Sequence, residues 1–224
     1  MIGHCAPHLV GCVATSPIDA LRERGRDGPA LISLHDIAPA ANAALLSGMT
    51  NLTDTDWLNH GLQRLASDGA EALKADRLAK SLGVSRGSFY WHFADIAAYR
   101  IAVLDLWATR TTLAMAKRLD RSGAGADRLG KLLTLAMGAS PSLERAVRSW
   151  ATHDADAAKA VRGVDVVRLR YLREGLVDTG VAPDEAEARA SLLYLAYIGR
   201  VMTDGPAAAI DERTVRYIAD LMTA

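Results

Sequence analysis

The chain has 224 residues, half of them hydrophobic, and 26 basic residues balance 26 acidic ones. A core of ordinary size can therefore be buried in one or two domains, and a composition rich in Ala and Leu with 5% aromatics favours an all-helical protein. The zero net charge excludes a globally basic nucleic-acid binder; no apolar run approaches the roughly 20 residues that span a bilayer, and the first basic residue, Arg22, comes too late for a secretory signal. A cytoplasmic protein without a membrane partner is expected.

Residues 1–50 read differently from the rest. Four of the seven prolines (Pro7, Pro17, Pro29, Pro39) fall here, glycines recur and helical periodicity is broken. The segment is expected to be a disordered leader or a mis-assigned start, with Met49 as the alternative first residue. Both cysteines, Cys5 and Cys12, lie in it, which excludes a disulfide framework for the body of the chain. With His4 and His8 they resemble a crowded metal site in composition, but on a segment with no evident scaffold. No metal and no cofactor are expected.

Regular helices begin near Thr53. Thr55 or Asp56 is expected to cap a first helix with an apolar face of Leu58, Leu62, Leu65 and Ala66, ended by Asp68-Gly69. A second, short helix is expected from about Lys74 to Leu82, with Gly83 in the left-handed position that closes it at low steric cost. Val84 plugs the turn and Ser85 caps a third helix, which buries Phe89 and Phe93 at i, i+4. Asp95 caps a long fourth helix through Ile96, Tyr99, Val103, Leu104, Trp107 and Leu113, reaching about Leu119. After a loop at Ser122-Gly123-Ala124-Gly125, helices are expected over Asp127 to Met137, Ser142 to Thr152, Asp154 to Thr179, Pro183 to Thr203 and Asp211 to Met222. Proline at a first-turn position and two acids at the positive end of the dipole mark the start at Pro183.

Three short helices with a Gly-Val turn between the second and third form a helix-turn-helix, whose third helix would lie in the major groove of double-stranded DNA. Ser85 and Ser88 are short donors for phosphate oxygens, Gly87 lets the backbone approach closely, and Arg86 can pair with phosphate or a guanine edge. Successive helical residues are about 100° apart, so Phe89, Tyr90 and Trp91 cannot all point inward. With Phe89 and Phe93 buried, Tyr90, Trp91 and His92 are expected to face outward, offering rings to sugars and polar tips to phosphates. Lys74 adds a cation at the start of the second helix. Between Lys74 and Phe93 the bases Lys74, Arg77, Lys80 and Arg86 outnumber the single acid Asp76, so the basic excess is local.

The run DRLAKSLGVSRGSFYWHF, with a helix before it and a long amphipathic helix after it, resembles the DNA-binding domain of the TetR family of bacterial transcriptional regulators. The resemblance rests on Leu78-Ala79, Gly83-Val84, the Ser-basic-Gly-small run, the adjacent aromatics and His92-Phe93, and covers about Trp57 to Thr112. Two departures stand out. Lys74 occupies the place where a threonine commonly starts the second helix, and Ala94-Asp95-Ile96-Ala97 lacks the usual lysine after the aspartate. The resemblance implies an all-α protein of about nine helices: a helix-turn-helix domain over 51–112, joined by a long helix to a ligand-binding and dimerisation domain over 113–224.

The segment SLLYLAYIGRVM is apolar nearly all round, so its helix is expected to be covered on one side by its own domain and on the other by a partner subunit. Leu192, Leu195, Gly199 and Met202 are the candidate interface residues. The resemblance implies the same homodimer, with recognition helices roughly 34 Å apart on a near-palindromic operator. It also implies a cavity for an unknown small-molecule effector, for which Trp107, Met137, Trp150, His153, Tyr171 and Tyr194 are the candidate lining. The expected function is a ligand-responsive repressor; an activator or architectural protein without an effector is the alternative. An enzyme is not expected, because no nucleophile elbow, phosphate loop, HExxH or CxxC occurs and His153-Asp154 with Asp156 reads as a solvated helix cap.

Overall fold

The structure, a computed structural model, describes residues 52–120, 126–205 and 208–224, and their side chains except those of 113–128. The leader read over residues 1–50, with His4, Cys5, His8 and Cys12, and the loop at 122–125 lie outside the described residues. The described residues all belong to one compact unit. Among them the secondary structure is helical: α1 (Asp54–Asp68), a 3-10 turn (Ala70–Ala72), α2 (Ala75–Ser81), α3 (Arg86–His92), α4 (Ile96–Asp120), α5 (Ala126–Gly138), α6 (Ser142–Ala151), α7 (Ala155–Val177), α8 (Pro183–Met202) and α9 (Glu212–Thr223). The all-α expectation is met, and no helix among the described residues is long and apolar enough to cross a membrane.

Side-chain caps set most helix starts. Asp95, Asp154 and Asp211 each accept a backbone N–H three residues on, at 2.7, 2.9 and 2.8 Å. The first helix corrects the sequence reading. Its cap is Thr53, not Thr55 or Asp56, because Thr53 and Asp56 form a reciprocal capping box: the Asp56 N–H donates to Thr53 Oγ1 at 3.2 Å and the Thr53 N–H to Asp56 Oδ2 at 2.9 Å. Lys74 is likewise the cap residue of α2 rather than its first turn, and it offers no side-chain cap bond.

Two hydrophobic cores hold these helices. The first joins Trp57, Leu62 and Leu65 of α1, Leu78 and Ala79 of α2, Phe89 of α3 with Phe93, and Tyr99, Val103, Leu104 and Trp107 of α4. It continues without a break into Val147 and Trp150 of α6 and Ala157, Val161 and Val164 of α7. The second core gathers Leu129, Leu132, Leu133 and Met137 of α5 with Leu172 and Leu176 of α7, Ala186, Ala190, Leu193 and Tyr194 of α8 and Val215 and Ala219 of α9. Thus α7 is the spine, its first half in one core and its second half in the other. Each fully buried Leu, Val or Phe adds about 1.5–3 kcal/mol by leaving water, so both cores are substantial. α1 packs directly against α6, and α4 against α7.

Candidate nucleic-acid interface

The turn between α2 and α3 is built as the residues require. Gly83 takes φ +70°, a left-handed conformation that costs a side-chain-bearing residue energy, and a Cβ there would meet no neighbour. The requirement at Gly83 is thus conformational, not spatial. The Val84 N–H returns to Ala79 O at 3.0 Å, closing α2, and Val84 packs on the first core. Ser85 then caps α3, its hydroxyl accepting from the Ser88 N–H at 3.4 Å.

From this base α3 presents an open face. Trp91 is 90% exposed and Tyr90 45% exposed, while Phe89 is fully buried with its ring 5.5 Å from that of Trp57. A large exposed indole beside an exposed phenol marks a binding face rather than packing. Gly87 is exposed, and only Ser85 Oγ, 3.7 Å away, stands near where its Cβ would be. Backbone can therefore approach a ligand there. Arg86 lies against this face: its Nε is 3.1 Å from Asp76, its Nη2 donates to the Tyr90 hydroxyl at 3.1 Å, and its guanidinium carbon is 5.5 Å from the Tyr90 ring centroid. Lys74 is paired with Glu71 at 2.7 Å, and its hydrogen bond holds the Glu71 carboxyl below the usual carboxylate range. Exposed pairs of this kind contribute little, so both cations remain available to a phosphate.

The structure corrects one member of the set. His92 is half-buried, its Nδ1 donating to Asp54 at 2.6 Å and its ring 6.2 Å from Trp57. Residues three apart on a helix are neighbours on one face, so the burial of Phe89 draws His92 inward. It ties α3 to the start of α1 instead of facing outward with Tyr90 and Trp91. Three further anchors were not singled out from sequence. Tyr99 donates its hydroxyl to Trp57 O at 2.8 Å, Arg100 donates from Nε and Nη2 to Leu73 O at 3.3 and 3.2 Å, and His60 bonds Ser81 at 2.6 Å across α1 and α2. Burial and the charge of Arg64 lower the His60 pKa, keeping this contact neutral. Tyr99 had only its place on an apolar face to mark it, and Arg100 had no signal at all.

The six residues expected to line an effector cavity do not come together. Trp107 and Trp150 are filled into the first core, Met137, Tyr171 and Tyr194 belong to the second, and His153 is exposed at the end of α6 beside Thr152. Between these cores lies instead a buried ionic network. Arg168, 4% exposed, forms a bidentate pair with Glu144 at 2.8 and 3.0 Å. Arg148 donates to Glu144 at 2.8 Å, to both Asp165 oxygens at 3.3 and 2.5 Å, and to the Tyr194 hydroxyl at 2.9 Å, which itself donates to Asp165 at 2.5 Å. Burial alone would lower the Arg148 and Arg168 pKa values, but the facing carboxylates outweigh it and raise both. Along the sequence the ion-pair partners lie 4, 17 and 24 residues apart, so only Glu144 with Arg148 is a local pair.

The four candidate interface residues are exposed together. Leu192, Leu195, Gly199 and Met202 follow a 3-4-3 spacing along one side of α8, opposite Leu193, Tyr194 and Val201, which are buried. Tyr217 and Leu221 on α9 are also exposed.

Residues 58–99 match the sequence profile described as Bacterial regulatory proteins, tetR family. No curated protein matches the chain. Among solved structures, a transcriptional regulator from Rhodococcus sp. Rha1 is similar at a TM-score of 0.61 and 20% identity, over 77% of this chain and 94% of that one. E. coli NemR in its reduced form is similar at 0.63 and 16%, over 76% and 95%. FadR from Bacillus subtilis, in complex with stearoyl-CoA, is similar at 0.53 and 12%, over 75% and 96%. At these identities the likeness establishes a shared fold.

Proposed function

We propose that the chain is a member of the TetR family of bacterial regulatory proteins, to which residues 58–99 are similar, and that it acts as a homodimeric, ligand-responsive repressor of a near-palindromic operator in the cytoplasm. The observation that carries the DNA-binding part is the open face of α3, with Arg86, Tyr90 and Trp91 held out from a core that fixes Phe89 and Phe93. On this reading Arg86, Tyr90 and Trp91 meet the major groove, and Ser85, Gly87, Ser88 and Lys74 seat the helix on phosphates. His92 sets the pitch of α3 against α1. The chain is read as a binding protein and not an enzyme. The apolar 3-4-3 stripe on α8 supports the dimer, and FadR, a similar fold bound to stearoyl-CoA, supports a small-molecule effector.

The test is a gel shift with DNA from upstream of the protein's own gene, at two salt concentrations. A sequence-selective shift that weakens steeply with salt is expected. Arg86→Ala with Tyr90→Ala should lower affinity at least about thirtyfold, since each lost base contact costs about 1–3 kcal/mol, with helicity unchanged. An unshifted probe at low salt, or full affinity in the double variant, removes the assignment.

A further inference from the structure

The C-terminal end of α6 and the first half of α7 flank a shallow, largely open cleft of about 250 Å³, lined by Arg148, Ala151, Thr152, Ala158, Val161 and Arg162. The lining is chemically one-sided. Ala151, Ala158 and Val161 form an apolar floor, Arg148 and Arg162 bring two guanidinium groups and Thr152 a hydroxyl, and no lining residue is acidic. We propose that this cleft binds a small organic carboxylate, whose apolar body rests on the floor while its carboxylate meets Arg162 and the free edge of Arg148. The proposal deepens the ligand-responsive reading above by naming the effector's chemical class, and it rests on that reading for its regulatory consequence.

The two arginines differ in how much they have left to give. Arg148 offers five N–H donors; one meets Glu144, two meet Asp165 and one meets Tyr194, so one N–H on Nη1 remains. The carboxylates of Glu144 and Asp165 balance the charges of Arg148 and Arg168. Arg162 is exposed and makes no hydrogen bond or ion pair among the described residues. The cleft therefore carries one uncompensated positive charge beside an apolar floor. A planar guanidinium fork matches a carboxylate in a bidentate geometry, and the apolar floor favours an organic anion over an inorganic one. The volume falls below the roughly 300–1,000 Å³ of drug-sized pockets, which suits a single-ring or short-chain acid.

The position gives the site leverage. Arg148, Ala151 and Thr152 lie at the end of α6, beside Trp150, which is buried in the core shared with α1. Trp57 of α1 in turn touches Phe89 of α3. A carboxylate on the remaining Nη1–H of Arg148 competes with Asp165 for that guanidinium, at the point where α6 backs the DNA-binding helices.

Isothermal titration of the full chain with benzoate, its neutral isostere benzamide and inorganic phosphate tests the site. Benzoate should bind saturably in the millimolar range, Arg162→Gln should weaken it at least about tenfold, and neither benzamide nor phosphate should match it. Non-saturable benzoate, equal binding by benzamide or phosphate, or full affinity in Arg162→Gln overturns the carboxylate site. A parallel arm follows operator DNA by fluorescence anisotropy. Release of DNA by some other small molecule, equally in parent and Arg162→Gln, overturns the cleft as the effector site and leaves the ligand-responsive reading standing. Benzoate that binds through Arg162 without changing DNA affinity upholds the site and counts against that reading.

Discussion

Gly61 sits where α1 passes closest to α4: a Cβ there would collide with the Tyr99 hydroxyl and crowd Val103. The same hydroxyl donates to Trp57 O, so one glycine admits the bond that pins α4 to α1. Gly61→Ala should destabilise the protein by about 1–3 kcal/mol through overpacking. Tyr99→Phe removes the colliding atom, so the double variant should lose less than the sum of the two single losses. Urea unfolding of the four proteins reads that coupling, and simple additivity would dismiss the close approach as its cause. Single residues also show the reach of sequence reasoning. Phe89 and Phe93 are buried and Tyr90 and Trp91 exposed as the 3.6-residue period requires. His92 follows Phe89 inward at i+3, but its partner, Asp54, is 38 residues away, and no local pattern carries a pair of that span.

At the scale of elements, several helix ends were legible because their chemistry is local: Asp95, Asp154, Asp211, Gly83 and Pro183 each act within a turn of their own position. What lies between helices was not. Glu144 and Arg148 look like a solvated pair one turn apart, yet α7 and α8 cover them and add Arg168, Asp165 and Tyr194. The candidate cavity residues are separated for the same reason: Trp107 lies in one core and Tyr194 in the other. The network makes a sharp prediction. Glu144 stands in the first turn of α6, where the helix dipole favours an acid. Glu144→Ala would leave the buried Arg168 unpaired and should cost about 3–5 kcal/mol. Replacing both partners, as Glu144→Leu with Arg168→Met, should cost much less. Chemical denaturation distinguishes them; equal losses would mean that packing, not the uncompensated charge, sets the penalty.

For the whole molecule, the apolar stripe on α8 raises the question of what covers it. Leu195, 67% exposed, stands midway along that stripe. If a second copy covers it, Leu195→Glu should convert a dimer to a monomer in sedimentation equilibrium and lower operator affinity with it, since two half-sites would no longer be bound together. A parent protein that sediments as a monomer refutes the interface. The core shared by α1, α2, α3, α4, α6 and the first half of α7 has another consequence. Val147, Trp150 and Val161 are as much a part of the helix-turn-helix head's interior as Leu65 or Phe89. The head is therefore not an interchangeable module. A fragment of residues 52–112 should keep helical far-UV dichroism but lose the near-UV signal of fixed aromatic packing. Chimeras joining this head to another regulator's body should fold only when α6 and the start of α7 travel with it.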